Sequence, residues 1–362
     1  MSKLLFNLVS DNLLAESSIT FLNKSIWYHA NSIKNLNSQT LNHEISEIID
    51  ISKENLISDT PMSWYALDTI KYLRVNNLKS GSDDIELIKN ILNQTIKNQN
   101  ILKVKYHNLS KIDSLLPNLT IPINLVNILN VDYDSWKTLE SIDDYNDWNN
   151  YFVSAVNIVN DIDPTSIKTI NRFIKYLFVL KSQGEAHGSM SPQNITGSIF
   201  LPQTKDETLI AECLVHEGLH NYLYRLEHFQ PFFIDNKGVD EKYYSPWKDY
   251  PRPLIMVLHG AFVFTGVIRF YDYLIDSNIL DKYGVTFEDR LISRYKQVSI
   301  AINVLQANNY LSDFGKSILE IMKDSLENLE QKYLSNQSEK FDHNYIEEHF
   351  EKYSSKDFLF KT

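Results

Sequence analysis

Residues 208–226 have the sequence TLIAECLVHEGLHNYLYRL, in which apolar residues recur every three or four positions. This spacing predicts an amphipathic helix with a buried stripe. Residues 204–207 precede it and supply capping and early acidic side chains. The helix carries the pattern H-E-x-x-H, formed by His216, Glu217 and His220. The stretch therefore combines a core helix with a group of candidate metal ligands.

Histidines four positions apart lie on one face of a helix, one above the other, so both imidazoles can bind a single metal ion. Glu217 follows the first of them, and we expect it to point toward the open side of the metal, the arrangement for which this spacing recurs in zinc hydrolases. Gly218 costs the helix about 1 kcal/mol relative to Ala. Close approach by a ligand or by another backbone would explain why glycine stands at this position despite that cost.

Two imidazoles do not complete a metal site, and a third protein ligand is required. His228 would lie about 12 Å further along the same helix and cannot reach the ion. His259 stands in an apolar helical stretch beside Gly260 and Ala261, where another helix could approach closely. We predict that His259 is the third ligand rather than a buried core histidine. Weaker alternatives are the carboxylates of Glu227, Asp235 and Glu241.

Arg252 precedes the predicted helix that contains His259, and it stands between Pro251 and Pro253. Prolines on both sides stiffen the backbone, so the guanidinium is aimed in a fixed direction. Such a side chain suits a bidentate grip on a carboxylate. We therefore predict that Arg252 binds a ligand and is not simply a surface arginine.

Three further side chains near the motif have less specific interpretations. Glu212 lies one turn before His216 and either orients that imidazole or is solvated. Cys213 is predicted to be a buried structural thiol. His187 stands in a Gly- and Ser-rich loop and is predicted to be a polar loop residue.

The chain has 362 residues, of which 43% are hydrophobic and 22% charged, as in an ordinary globular protein. Its net charge of −11 argues against nucleic acid as a partner. A single cysteine excludes an intrachain disulfide. We see no targeting segment, and the apolar stretch 253–267 reads as too short and too polar to cross a bilayer. We therefore expect a cytoplasmic protein with no membrane partner; its oligomeric state is not predictable.

The fold class predicted from these patterns is mainly α with a few short β-strands. A helical N-terminal region, residues 1–180 and a candidate for peptide binding, is expected to pack on a metal-binding catalytic region, residues 181–335. A polar, loosely held tail follows at 336–362. The predicted helices are 13–33, 41–56, 59–75, 85–97, 163–180, 208–226, 253–276, 287–308 and 312–334. Strands are predicted at 101–106 and 195–201.

Two segments, 211–220 and 247–264, resemble a known family: the H-E-x-x-H motif-containing peptide-modification family found beside genes for ribosomally made, post-translationally modified peptides. The second segment matches the Arg-Pro…Leu-His-Gly…Phe pattern of that family at Arg252, Pro253, Leu258, His259, Gly260 and Phe264. The strand predicted just before the first helix also fits the family layout. The resemblance covers roughly residues 189–270.

The resemblance implies a non-haem Fe(II), 2-oxoglutarate-dependent oxygenase that hydroxylates a β-carbon in a precursor peptide. It implies that His216, His220 and His259 bind the iron and that Arg252 binds the distal carboxylate of 2-oxoglutarate. Three protein ligands on an octahedral iron leave two positions for 2-oxoglutarate and one for O₂. The role of Glu217 stays open: it acts from just outside the ligand set or shapes the pocket on the oxygen side.

Two other functions remain open at this point. Three histidines are equally a zinc set, so the chain could be a zinc metallopeptidase in which Glu217 is the general base. It could also be a non-catalytic interaction protein that keeps a structural metal. That reading requires a closed site with four ligands, and no fourth ligand is evident in the sequence.

Overall fold

A computed structural model describes residues 20–28, 30, 42–53, 63–64, 66–67, 70, 105–107, 116, 119, 121–123, 142–181, 188–234, 241–277, 287–333 and 344–354. Most of these residues are helical and the strands are short, so the mainly α fold class is confirmed. How the predicted N-terminal and metal-binding regions pack together stays a prediction. The predicted helix at 85–97 lies outside the described residues.

The helices, numbered along the chain, are α1 Asn42–Lys53, α2 Ile142–Ile162, α3 Pro164–Phe173, α4 Glu207–Phe229, α5 Leu254–Asp276, α6 Phe287–Gln306, α7 Asp313–Tyr333 and α8 Asn344–Ser354. Residues 20–28, 30, 63, 64, 66, 67 and 70 are also helical. The predicted helix at 208–226 is α4, and those at 253–276, 287–308 and 312–334 are α5, α6 and α7, each within a few residues. Helix ends are the least certain part of such predictions.

The strands are β1 Lys105–His107, β2 Ile121–Ile123, β3 Tyr176–Leu180, β4 Ser198–Pro202, β5 Lys242–Tyr243 and β6 Arg252–Pro253. β1 pairs antiparallel with β2, and β5 pairs antiparallel with β6. β3 and β4 form a parallel pair in which Tyr176 is opposite Ser198 and Leu180 is opposite Pro202. Strand β4 of this parallel pair contacts helix α4.

The helix predicted to run from residue 163 to 180 was wrong in its second half, because α3 ends at Phe173 and residues 176–180 form strand β3. The sequence of β3 is YLFVL, and its last four residues are buried. A strand buried on both faces has no alternation of polar and apolar residues, so its pattern cannot be distinguished from that of a buried helix.

The outer edge of β4, the edge that faces away from β3, is covered by three groups of this chain. The backbone N–H and carbonyl of Phe200 pair with Met190 at 2.9 and 3.1 Å. The carbonyl of Ser198 accepts a hydrogen bond from the side-chain amide of Asn221 at 3.2 Å. The carbonyl of Pro202 accepts one from the indole of Trp148 at 3.2 Å. Strand β4 is therefore bonded on both edges.

Helix α4 begins as its sequence predicts. The Asp206 carboxylate accepts hydrogen bonds from the backbone N–H groups of Thr208 and Leu209, both at 3.0 Å. This contact satisfies two of the donors that a helix start leaves unpaired. Its buried stripe includes Ile210, Leu214, Leu219, Leu223 and Leu226, which are at most 2% exposed. Capping and burial together hold the H-E-x-x-H segment in a regular helix.

The chain forms two compact units. The motif unit consists of the described residues within Val9–Asn157 and Ile167–Phe229, and the C-terminal unit of those within Ile158–Ser166 and Gln230–Thr362. Compact units need not coincide with domains, so the boundaries predicted at residues 180 and 335 stay predictions.

Helix α5 forms the centre of the C-terminal unit and packs against α6 and α7. A buried ion pair joins it to the start of α3, where Arg269 donates to Asp163 at 3.0 Å. By length and composition α5 could cross a membrane, contrary to our reading of residues 253–267, yet 78% of its apolar window is buried in the structure. Core helices of globular proteins show the same combination of length and burial.

The tail predicted to be loosely held contains helix α8, so that prediction was wrong for residues 344–354. Ile346 is 3% exposed, and α8 packs against α6. His349 bonds to the hydroxyl of Tyr244 at 2.7 Å and lies 3.3 Å from the carboxylate of Asp249. The ring of Phe350 also meets that of Tyr244 edge-on, with the ring centres 5.1 Å apart, so apolar and aromatic side chains hold this helix in place.

Candidate metal centre

His216 and His220 lie one turn apart on α4, and both are partly exposed. Their ring centres are 5.0 Å apart and their planes are inclined by 70°. With metal–nitrogen bonds of about 2.1 Å, two imidazoles on one ion keep their ring centres about 5 Å apart. The separation of the two rings therefore matches that of two ligands on one ion.

Glu217 is buried at 1% exposure. Its Oε1 accepts a hydrogen bond of 2.6 Å from the hydroxyl of Ser189 and lies 3.9 Å from Nε2 of His216. Its Oε2 is also buried and accepts no hydrogen bond from the described residues. Burial raises the pKa of Glu217 to about 7, against the opposing effect of the bond from Ser189. Among the described residues, one oxygen of this buried carboxyl therefore has no hydrogen-bond partner.

A polar network joins the motif to the segment before β4. Ser191 donates to the carbonyl of Glu217 at 3.1 Å. The amide of Asn221 donates to that carbonyl and to Ser191, both at 3.0 Å. Its oxygen accepts from the backbone N–H of Gly197, where the chain turns with φ of 100°. The bonds that Ser191 and Gly197 make to Glu217 and Asn221 fix the helix against the segment before β4.

Our sequence reasoning missed Ser189, Ser191 and Asn221. Asn221 follows Glu217 by one helical turn, so its place on the buried face of α4 could have been predicted. The two serines carry no periodic signal, because they lie in the Gly- and Ser-rich loop.

Gly218 is explained by packing against a side chain. A Cβ at this position would lie 2.9 Å from Cγ1 of Ile170. The predicted cause, close approach by a ligand or another backbone, was wrong: helix α3 places an isoleucine there. A residue without a side chain is needed for that contact.

His259 and Arg252 belong to the C-terminal unit. His259 is 3% exposed, and the ring of Phe232 meets it edge-on with the ring centres 6.3 Å apart. Arg252 lies in β6 opposite Tyr243 and is half-buried. The short β5–β6 pair therefore holds the backbone of Arg252 immediately before helix α5.

At Gly260, where we predicted the close approach of another helix, a tryptophan side chain packs instead. A Cβ on Gly260 would lie 2.6 Å from Cζ3 of Trp247. The Trp247 ring also stacks on Phe264 at 5.2 Å, and the guanidinium of Arg294 lies 4.4 Å from the centre of the Phe264 ring. Gly260 thus seats the indole against α5, one residue after His259.

We expect Gly260→Ala to destabilise the protein by about 1 kcal/mol in urea unfolding. The better helix propensity of Ala contributes about 1 kcal/mol, and overpacking against the indole costs about 1–3 kcal/mol. In a Trp247→Leu background, where the indole is gone, the same change should be neutral or stabilising. Equal losses in both backgrounds would contradict the contact as the cause.

Other candidates have structural environments of their own. His228 stacks on the rings of Phe21 and Trp64, whose centres lie 4.2 and 4.3 Å from that of the imidazole. Cys213 is buried as predicted, and burial raises the pKa of its thiol. Burial also raises the pKa of Glu227.

Glu212 is half-buried, and Glu241 accepts a hydrogen bond from the hydroxyl of Tyr243. His187 and Asp235 lie outside the described residues. Taken unit by unit, the described residues bring together no group of three or more His, Cys, Asp or Glu side chains suited to a metal ion. Comparison of the sequence with protein-family models and with curated proteins finds no match.

Proposed function

We propose that this protein is a non-haem Fe(II), 2-oxoglutarate-dependent oxygenase that hydroxylates a β-carbon of a residue in a ribosomally made precursor peptide. The observation that carries the proposal is the pair of imidazoles at His216 and His220, 5.0 Å apart on one face of a capped helix. The buried carboxyl of Glu217, which lies 3.9 Å from Nε2 of His216, supports it further.

In this proposal His216, His220 and His259 hold the metal, and Arg252 binds the distal carboxylate of 2-oxoglutarate. When bound, Fe(II), 2-oxoglutarate and O₂ together supply an oxidant that inserts one oxygen atom into the peptide C–H bond, while the keto acid takes the other and leaves as succinate and CO₂. Imidazole nitrogens suit iron, and three protein ligands leave three positions for the keto acid and gas. The half-buried guanidinium offers the planar donor pair that a carboxylate accepts.

The direct test is metal analysis of protein isolated without oxygen, followed by addition of 2-oxoglutarate. The proposal expects iron at one equivalent and a visible charge-transfer band on adding the keto acid. Co-expression with peptide genes that neighbour this one should yield a product heavier by one oxygen atom. Absence of the band in protein that holds iron would overturn the proposal.

Arg252→Ala is expected to weaken 2-oxoglutarate binding about 10- to 100-fold while iron binding stays nearly unchanged. The size follows from loss of a hydrogen bond to a charged group, worth about 1.5–3 kcal/mol. Titration of the visible band measures keto acid affinity, and metal analysis measures iron. Lys248→Ala, an exposed cation in the same loop, is the control. Equal losses of iron and keto acid would mark Arg252 as structural.

A zinc metallopeptidase is the second candidate, and one observation favours it: the Glu217 carboxylate lies 3.9 Å from Nε2 of His216. A general base must lie within reach of a metal-bound water. This candidate predicts tightly bound zinc, peptide cleavage, and loss of that cleavage in Glu217→Gln. The oxygenase predicts the keto acid band in that variant as well, because Glu217 is not one of its metal ligands.

A further inference from the structure

The loop 244–251, which joins β5 to β6, is held by its own backbone and by helix α6. The backbone N–H of Lys248 donates to the carbonyl of Ser245 at 3.3 Å, which closes a turn. The side-chain amide of Gln297, on α6, donates to the carbonyl of Pro246 at 3.1 Å. The backbone that carries the side chains of this turn is therefore held in place.

Two polar groups in this turn are buried and have no hydrogen-bond partner among the residues that the structure describes. They are the hydroxyl of Ser245, which is 1% exposed, and the indole N–H of Trp247. Native proteins satisfy the large majority of such groups, so an unpartnered one calls for a cause. An indole N–H can only donate, and a hydroxyl can donate as well. A bound acceptor would therefore satisfy both groups.

Arg252 adds a third donor group. Its half-buried guanidinium has neither a hydrogen bond nor an ion pair with any described residue. Arg252 lies opposite Tyr243, and side chains two positions apart along a strand share a face, so Ser245 is its diagonal neighbour just past the end of β5. The other diagonal neighbour, Glu241, bonds instead to the hydroxyl of Tyr243. Diagonal neighbours lie about 7–8 Å apart, so a long side chain and the Ser245 hydroxyl can meet one acceptor.

The start of helix α5 favours a negative charge at the same place. Its N-cap is Pro253, no side chain caps it, and its first turn contains no acidic residue. The first N–H groups of a helix lack intrahelical partners and carry a partial positive charge, which is unfavourable beside an arginine unless an anion lies there. A carboxylate meets both requirements, because it is anionic and its two oxygens accept from several donors.

We propose that Ser245 and Trp247 are further ligand-binding residues, which donate from the loop 244–251 to the carboxylate that Arg252 binds. The inference rests on the proposed function for the identity of that ligand, 2-oxoglutarate. It does not depend on which residues hold the metal. Binding of the carboxylate supplies the acceptor that both donors lack among the described residues.

The experiment measures binding of glutarate by calorimetric titration of the purified protein. Glutarate has the two carboxylates of 2-oxoglutarate without its keto oxygen, so it tests the carboxylate site apart from chelation of a metal. Ser245→Ala and Trp247→Phe should each weaken glutarate binding at least about 10-fold, the loss expected for one hydrogen bond to a charged group.

Urea unfolding without glutarate separates this role from a structural one. Ser245→Ala removes a buried hydroxyl that no described residue satisfies, so stability should stay unchanged or rise. A hydroxyl that stabilises the fold through a hydrogen bond would instead lower stability when it is removed. Loss of stability together with unchanged glutarate binding would overturn the inference.

Ser198→Ala is the matched control, because Ser198 also carries a buried hydroxyl with no partner among the described residues, but in the motif unit. It should leave glutarate affinity unchanged. If Arg252→Ala weakens glutarate binding while Ser245→Ala and Trp247→Phe do not, this inference alone is wrong. If glutarate binding depends on Ser245 but iron and 2-oxoglutarate give no visible band, the oxygenase is wrong and the carboxylate site stands. Wild-type protein that binds no glutarate overturns the inference.

Discussion

In His259→Ala, the visible band that Fe(II) and 2-oxoglutarate produce together without oxygen is expected to disappear. The proposal assigns one of three protein ligands to this imidazole. Even residues outside the ligand set change metal affinity by about 10- to 100-fold, so loss of a ligand should cost more than about 100-fold. Anaerobic titration with iron, followed by the keto acid, measures both steps.

His349→Ala is the control for that variant, because it removes an imidazole from the same unit. His349 contacts Tyr244 and Asp249, and the proposal gives it no part in metal binding. Its band should match that of the wild type. An unchanged band in His259→Ala would exclude His259 as a ligand. Glu227 and Glu241 would then be the candidates for the third ligand.

Gly315→Ala is expected to destabilise the protein by about 3 kcal/mol, the upper part of the range for overpacking. A Cβ at this position would lie 2.1 Å from the carbonyl oxygen of Phe232. That oxygen cannot move freely, because it accepts a hydrogen bond from Ser312 N–H at 2.9 Å. The backbone of Phe232 must therefore separate from the start of α7.

Urea unfolding of purified protein measures this loss. Ser317→Ala, an exposed change in the same helix, should stay within about 0.5 kcal/mol of the wild type. Because the Phe232 ring meets His259, the glycine variant should also weaken iron binding. Wild-type stability in Gly315→Ala would contradict the close approach that the structure places there.

The helices around the candidate site could be predicted because their signals are local and redundant. Helix α4 has a cap at Asp206 and a buried stripe, and both were visible in the sequence. Strand β3 was not, because a fully buried strand lacks alternation. Helix α8 was not either, since its few apolar and aromatic residues stand in a stretch rich in charged and polar side chains, which looks like a tail.

The contacts that shape the site depend on residues far apart in the chain, so local patterns could not reveal them. Trp247 fills the space beside Gly260, and Ile170 fills the space beside Gly218. The bond from Ser189 to Glu217 spans 28 positions. Spacing therefore supplies only the hypothesis about which side chains carry the chemistry, whereas the contacts that hold these side chains in place emerged from the fold.

The bonded outer edge of β4 restricts how a peptide can be recognised beside the histidine helix. An incoming chain cannot add a strand at this edge of the sheet unless it first displaces Met190 from Phe200. Selectivity at this strand would then depend on the side chains of a bound peptide and not on its backbone. Peptides with unrelated side chains should therefore compete poorly for binding.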